Sequence, residues 1–289
     1  MDQRIIDLYD DYTHARLDRR IFMRRLSKLA GSGAAAAALL PMLEASRAKA
    51  AIVPADDDRL VTERVTYPGA TGDVAAYLAK PADAGGPLPS VVVIHENRGL
   101  NPHIEDVARR IALEGFVALA PDALSPLGGT PEDADRAREM IGQLDQGSTV
   151  DNYVRAVSHL EGRDDTTDRV GAVGFCWGGG MIGLLATASD DLDAGVVFYG
   201  RVPPLDRVPD IRAPLLLHYA GLDERINADV PAFEEALKAA GADYTMHMYE
   251  GANHAFHNDT SEARYDPDAA RLAFERTIEF FNQNLKREA

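Results

Sequence analysis

The stretch RVGAVGFCWGGGMIGLLA, residues 169–186, decides the fold. Val170 to Phe175 is an apolar run of strand length, and the glycines from Gly178 open an apolar run of helical length. Between them lies Cys176, the one cysteine in a chain of 289 residues. Gly174-Phe175-Cys176-Trp177-Gly178 has the form G-x-C-x-G, a strand–turn–helix elbow that holds a nucleophile on strained dihedrals, with sulfur in place of the more usual serine oxygen. The flanking glycines meet a steric need, because side chains two residues either side of so sharp a turn would collide. The helix that follows aims its first amides at the turn, a field that favours a thiolate and a developing oxyanion. Free cysteine also serves as a small core residue. Its place between a buried strand and a helix start singles this one out.

The same alternation continues outward. RVTYPG (64–69) and VAAYLAKP (74–81) read as a short antiparallel opening broken by Pro68-Gly69. SVVVIHE (90–96), FVALAPD (116–122), AGVVFYG (194–200), APLLLHYAG (213–221) and YTMHMYE (244–250) read as strands. Helices are predicted over 100–115, with Asn101 as cap and Pro102 in the first turn, and over 129–145, with Thr130 and Pro131 in the same roles. Further helices are expected over 148–162, 230–241 and 266–285. Strands alternating with helices of this length predict an α/β domain: a doubly wound, mainly parallel sheet with helices on both faces and no large lid domain. It spans residues 51–289. The loop ALSPLGGTP (123–131) leaves the carboxyl end of a strand, the edge at which such sheets bind ligands.

A thiol nucleophile needs a base, and the base needs an orienting acid. Asp223 in GLDERI and His254 in YEGANHAF each follow a predicted strand, in the order nucleophile, acid, histidine that α/β-hydrolases use. From about residue 60 onward the chain resembles the dienelactone hydrolase family, the carboxymethylenebutenolidases. The likeness rests on IHENRGLNPHIEDVARRIALEGFVALAPD (94–122), GFCWGGG (174–180), GLDERI (221–226) and YEGANHAF (249–256). It implies an α/β-hydrolase fold and hydrolysis of a small ester or lactone through Cys176, His254 and Asp223 by way of a covalent thioester, with neither cofactor nor metal. It implies further that Glu96 holds the resting thiol and takes its proton, and that the amides of Trp177 and Asn97 form the oxyanion hole. It also implies that Arg138, with Arg136 as fallback, binds a substrate carboxylate. The chain departs from the family at Asn258, where a second substrate-binding arginine is expected; Arg98 is the candidate replacement. A non-catalytic periplasmic binding relative, a thioesterase and a peptidase are the alternative functions on this fold. His254 and His257, with His95-Glu96, are too sparse for a recognisable metal motif.

The formal charge is −16. Nine of the 30 basic and six of the 46 acidic residues lie in the first fifty positions, so the remainder carries 21 against 40, or −19. Such a surface repels nucleic acid and anionic lipid. The first fifty residues read as an export address: Arg19-Arg20, a mildly apolar run LAGSGAAAAALLPML (29–43), then an Ala-x-Ala site at Ala48 and Ala50. The expected partner of the precursor is the twin-arginine export machinery, and the expected location periplasmic or otherwise exported. The run is too short for a membrane span, so no stable insertion of the mature chain is expected. An amphipathic helix at the N-terminus is the competing reading.

Overall fold

A computed structural model describes residues 1–14, 17–44 and 51–286. The predicted cleavage site at Ala48 and Ala50 lies outside the described residues. In chain order the elements are α1 (Gln3–His14), α2 (Arg19–Ala30), α3 (Gly33–Leu43), β1 (Leu60–Gly69), β2 (Gly72–Pro81), β3 (Leu88–Ile94), α4 (Pro102–Leu113), β4 (Val117–Pro121), α5 (Ala134–Ile141), α6 (Gln146–Glu161), β5 (Thr166–Phe175), α7 (Trp177–Ala186), β6 (Ala194–Phe198), β7 (Leu215–Ala220), α8 (Glu224–Asn227), α9 (Val230–Ala240), β8 (Tyr244–Tyr249) and α10 (Pro267–Leu285).

The strands form one sheet in the order β1-β2-β4-β3-β5-β6-β7-β8. β1 and β2 pair antiparallel, β2 meets β4 antiparallel, and the six strands from β4 to β8 run parallel. Apolar runs such as Val91–Ile94 and Leu215–Leu217 are buried along their length, as strands covered on both faces require. One face packs against α4 and α10 through Ile104, Val107, Ile111 and Phe281. The other packs against α6, α7 and α9 through Tyr153, Val157, Ile182, Leu185 and Phe233. β3 is flanked by β4 on one side and β5 on the other, so the chain reverses its direction of winding there. The crevice at that switch lies beyond the carboxyl ends of β3 and β5, where Glu96 and Cys176 follow.

α4 starts as predicted, with the Asn101 side chain accepting from the amide of Ile104 at 3.2 Å and Pro102 in the first turn. The predicted cap at Thr130 is corrected. α5 begins at Ala134, and Asp133 caps it by accepting from Asp135 and Arg136. Thr130 instead gives its amide and hydroxyl protons to the Asp122 carboxylate, both at 2.7 Å. A buried carboxylate outcompetes the helix start for those donors, because leaving it unmatched costs more than moving the cap three positions along the chain.

No large lid domain is inserted among the described residues, but α1 to α3 lie over the carboxyl edge of the sheet. The sequence sets residues 1 to about 50 apart from the fold; the structure packs α1–α3 onto it. They share a small core of their own, including Tyr9, Tyr12, Phe22 and Leu26. Among the described residues no single helix is long and apolar enough to cross a membrane, and α2 and α3 meet at a bend of 109°.

Candidate active site

Cys176 sits between β5 and α7 with φ 56° and ψ −112°, a left-sided conformation that costs a non-glycine residue about 1–3 kcal/mol. The surrounding backbone holds it there. The Cys176 amide donates to the Phe198 carbonyl at 3.0 Å. A Cβ on Gly174 would lie 2.1 Å from the Gly178 carbonyl oxygen, and one on Gly178 would lie 2.4 Å from that of Ile94. Both positions therefore accept only glycine, which is the collision that the G-x-C-x-G pattern predicts.

Asp223 follows β7 and His254 follows β8, so the carboxyl ends of three parallel strands converge, with β6 between β5 and β7. His254 Nδ1 donates to Asp223 Oδ2 at 2.5 Å, and both residues are buried. Burial disfavours a charged imidazole here, but the negative charges of Cys176 and Asp223 outweigh it and raise the His254 pKa to about 10. Burial likewise works against the Asp223 carboxylate, and His254 and Arg225 reverse it and lower the pKa. Two further strained residues support the ring. Tyr199, at φ 41°, packs its ring 5.0 Å from that of His254, and Ala255 follows at φ 64°.

The sequence reading missed His14, the last residue of α1. Its Nε2 lies 3.1 Å from the Cys176 sulfur, and its Nδ1 lies 2.9 Å from the Asp10 carbonyl. A carbonyl only accepts, so Nδ1 carries the ring proton and Nε2 presents a lone pair to the sulfur. Burial, then the charges of His254 and Arg225, hold the His14 pKa well below the usual histidine value. His14, Cys176 and His254 each bring a ligand atom within 4.8 Å of the others, while His254 Nε2 itself finds no hydrogen-bond partner among the described residues.

The other predicted residues gather around this centre, with partners that the sequence did not reveal. Glu96 is buried and its Oε2 accepts from Asn258 Nδ2 at 2.7 Å, so the residue that replaces an arginine holds the glutamate. The Asn97 side chain donates to the Thr13 carbonyl at 3.0 Å. Trp177 stacks on His95 with ring centroids 5.3 Å apart. Arg138 donates to the Tyr12 carbonyl at 2.5 Å and lies over the Tyr12 ring. Arg98 donates to the Tyr9 hydroxyl at 3.3 Å and stands 3.6 Å from Asp135. Arg136 is exposed and pairs with Glu139, away from the centre. Arg264, also missed, is buried ten residues past His254 and pairs with Asp10 at 3.1 Å. A scan for a basic residue beyond His254 finds it only if the register is allowed to slip.

Two cavities reach Cys176 and His254, with Thr13 and His14 lining both. One, of about 290 Å³, is polar and includes Glu96, Arg98, Asp135 and Arg264. The other, of about 660 Å³, has an apolar wall including Met181, Leu184, Val202 and Ile226, together with Arg138, Arg201 and Arg225.

The elbow, the three strand ends and the switch point agree with what the sequence profile of the dienelactone hydrolase family finds, which matches residues 74–285. The chain belongs to the dienelactone hydrolase family. It is therefore a hydrolase of that type on an α/β-hydrolase fold. A protein of Escherichia coli O157:H7, provisionally named a carboxymethylenebutenolidase, is 31% identical over 253 residues, covering 83% of this chain and 93% of its own. A hydrolase fragment of E. coli K12, YghX, is 51% identical over 112 residues, 38% of this chain and 96% of the fragment. Among solved structures, a provisionally titled dienelactone hydrolase from Klebsiella pneumoniae is 28% identical with a TM-score of 0.71, covering 78% of this chain and 99% of its own. A separate profile, described as YqhI-like, matches residues 1–31.

Proposed function

We propose that the protein hydrolyses a carboxylic ester or lactone with Cys176 as nucleophile, His254 as acid and base, and Asp223 as the group that orients His254. The observation that carries this reading is the strained Cys176 at the start of α7, beside a buried His254–Asp223 pair at 2.5 Å. The thiolate forms a bond to the substrate carbonyl carbon, and the oxyanion lies against the amides of Trp177 and Asn97. As the tetrahedral species collapses, the carbon–oxygen bond breaks and the His254 imidazolium gives its proton to the departing alkoxide. The sulfur then carries no charge, so the attraction that raises the His254 pKa falls away, and the neutral ring can take a proton from water. The hydroxide so formed attacks the thioester, the carbon–sulfur bond breaks, and the acid is released.

The larger cavity supports a substrate with an apolar body and an anionic end. Its lining contains three arginines and no Asp or Glu. Arg201 has no ion-pair partner among the described residues, and Arg225 Nη2 is buried without a hydrogen-bond partner there. These two take over the carboxylate reading that Asn258 cannot supply.

The test is hydrolysis of p-nitrophenyl acetate and a lactone panel by the chain and by Cys176→Ala, with mass spectrometry for an acyl adduct. Activity and adduct in the parent, both absent from the variant, are expected. Equal rates in the two proteins would overturn the assignment of Cys176.

We propose also that residues 1 to about 50 direct export by the twin-arginine route. Arg19, Arg20, Arg24 and Arg25 are all exposed on α2, as recognition by a translocase requires. Cell fractionation of the Arg19→Lys, Arg20→Lys double variant tests this; unchanged export would sink it.

A further inference from the structure

The last turn of α1 stands where a substrate has to stand. His14 Nε2 is 3.1 Å from the Cys176 sulfur, which is the separation a carbonyl carbon needs for attack. The preceding Thr13 carbonyl takes the side-chain donor of Asn97, and the Tyr12 carbonyl takes Arg138. Arg98 is turned toward Tyr9, one helical turn earlier. The family resemblance assigns Arg138 to substrate and the backbone amide of Asn97 to the oxyanion, and Arg98 is the candidate replacement for the arginine missing at Asn258. A helix C-terminus presents unpaired carbonyls and a partial negative charge, so it can satisfy groups arranged for a substrate's carbonyl and carboxylate.

The thiol is also held in an unproductive partnership. The lone pair of His14 Nε2, 3.1 Å from the sulfur, can accept an S–H from Cys176 and so opposes the thiolate that pairs with His254, whose Nε2 has no hydrogen-bond partner among the described residues. A thiolate at the same position would meet that lone pair with its own charge.

We propose that the Tyr12–His14 turn is an intramolecular substrate surrogate that holds the hydrolase in a resting state until α1 withdraws. The proposal rests on the reading of Cys176 as nucleophile. The seating is suited to release. α1–α3 bury their apolar side chains mainly against one another, with Ala263 the body residue packed on that cluster. Their ties to the body are largely polar: Asp10 with Arg264, Gln3 with Asn253, the Met42 carbonyl with the Ala263 amide, and the contacts above. The segment lies outside the family match that begins at residue 74, and the Klebsiella relative folds with 99% of its chain matched by 78% of this one. The hydrolase domain therefore does not need α1 for its own fold. Cleavage near residue 50, which the export reading entails, would be one route by which the turn leaves.

The experiment places a specific protease site within residues 45–50 of the full chain. It follows two readouts before and after cutting and separation of the released segment: alkylation of Cys176 by neutral iodoacetamide, and hydrolysis of p-nitrophenyl acetate. Alkylation should accelerate by tenfold or more on release. In uncut His14→Ala it should rise by about tenfold, the worth of one lost hydrogen bond. Alkylation that is unchanged or slower after release overturns the proposal, because a turn that occupies the substrate's place must uncover the sulfur on leaving. Faster alkylation without ester hydrolysis in any form leaves the surrogate standing and overturns the ester-hydrolase reading instead.

Discussion

The two cavities that meet at Cys176 differ less in their number of arginines than in what those arginines are doing. Arg19, Arg98 and Arg264 line the smaller cavity, which also holds Glu44, Glu96, Glu132, Asp133 and Asp135. Each of the three is engaged: Arg19 with Asp135 at 2.7 Å, Arg98 with Asp135 and Tyr9, and Arg264 with Asp10. In the larger cavity only Arg138 is fully occupied, by Tyr12 and Asp135. Arg201 and Arg225 line the cavity with donors to spare, and among the described residues Arg225 has one ion-pair partner, Asp223 at 3.9 Å. A guanidinium with its fork already filled adds structure rather than recognition. An unpaired one gains from a ligand anion, whether exposed, as Arg201 is, or with a buried donor left over, as in Arg225. Recognition and architecture are thus divided between two sides of one sulfur.

The sharpest test removes what the two cavities share. Cys176→Ala should lower ester turnover by about 10³-fold or more, whichever cavity holds the substrate body, as loss of a nucleophile does in related triads. Asp223→Asn should cost about 10²–10⁴-fold in kcat, because the ring then loses its fixed tautomer. The same variant has a stability signature. The fold raises the His254 pKa to about 10, from a usual 6.5, through Cys176 and Asp223. A raised folded pKa means that the protonated ring stabilises the fold, fully below pH 6.5 and progressively less as pH climbs toward about 10. The melting temperature of the parent should therefore exceed that of Asp223→Asn most just below pH 6.5, and the gap should narrow as pH rises toward about 10. A gap that widens with pH would contradict the charge assignment.

The next effect separates the cavities. Calorimetric affinity for a non-hydrolysed carboxylate such as hexanoate should fall about tenfold in Arg201→Gln, the worth of one charge-assisted hydrogen bond. Arg225→Gln should fall at least as far, though its contact with Asp223 makes Arg201 the cleaner probe. Equal affinity in parent and Arg201→Gln would break the division drawn above.

What the sequence made legible follows the range of the interactions involved. Cys176, Asp223 and His254 each stand at the end of an apolar run in a local pattern of turn residues, and the sheet topology alone brings strand ends together. α4 was legible for the same reason, since Asn101 and Pro102 act within one turn. Thr130 looked identical to Asn101, but its decisive partner, Asp122, lies eight residues back and outside the capping pattern. His14 was illegible for a stronger reason. It is 162 residues from Cys176, in a segment whose arginine pair and alanine run read as an address, and no periodicity in α1 points at a sulfur. Arg264 lay hidden because its charge is tied to Asp10 of that same segment.

The smallest effect is the most discriminating. Arg98 lines the smaller cavity, and a count of charges near the sulfur ranks it beside Arg201. Its Nη1 stands 3.6 Å from Asp135 and its Nη2 donates to Tyr9 at 3.3 Å, so a ligand carboxylate has to displace partners already in place. Exchanging one ion pair for another of similar exposure changes affinity by about threefold or less. Arg98→Gln in the intact chain should therefore barely alter hexanoate affinity. After release of α1–α3 the Tyr9 hydroxyl is gone and one donor of Arg98 is free, so the same substitution should then cost more. An Arg98→Gln loss in the intact chain as large as that of Arg201→Gln would mean that α1 already stands away from the body in solution. The smaller cavity would then be a recognition site whose arginines are only intermittently covered.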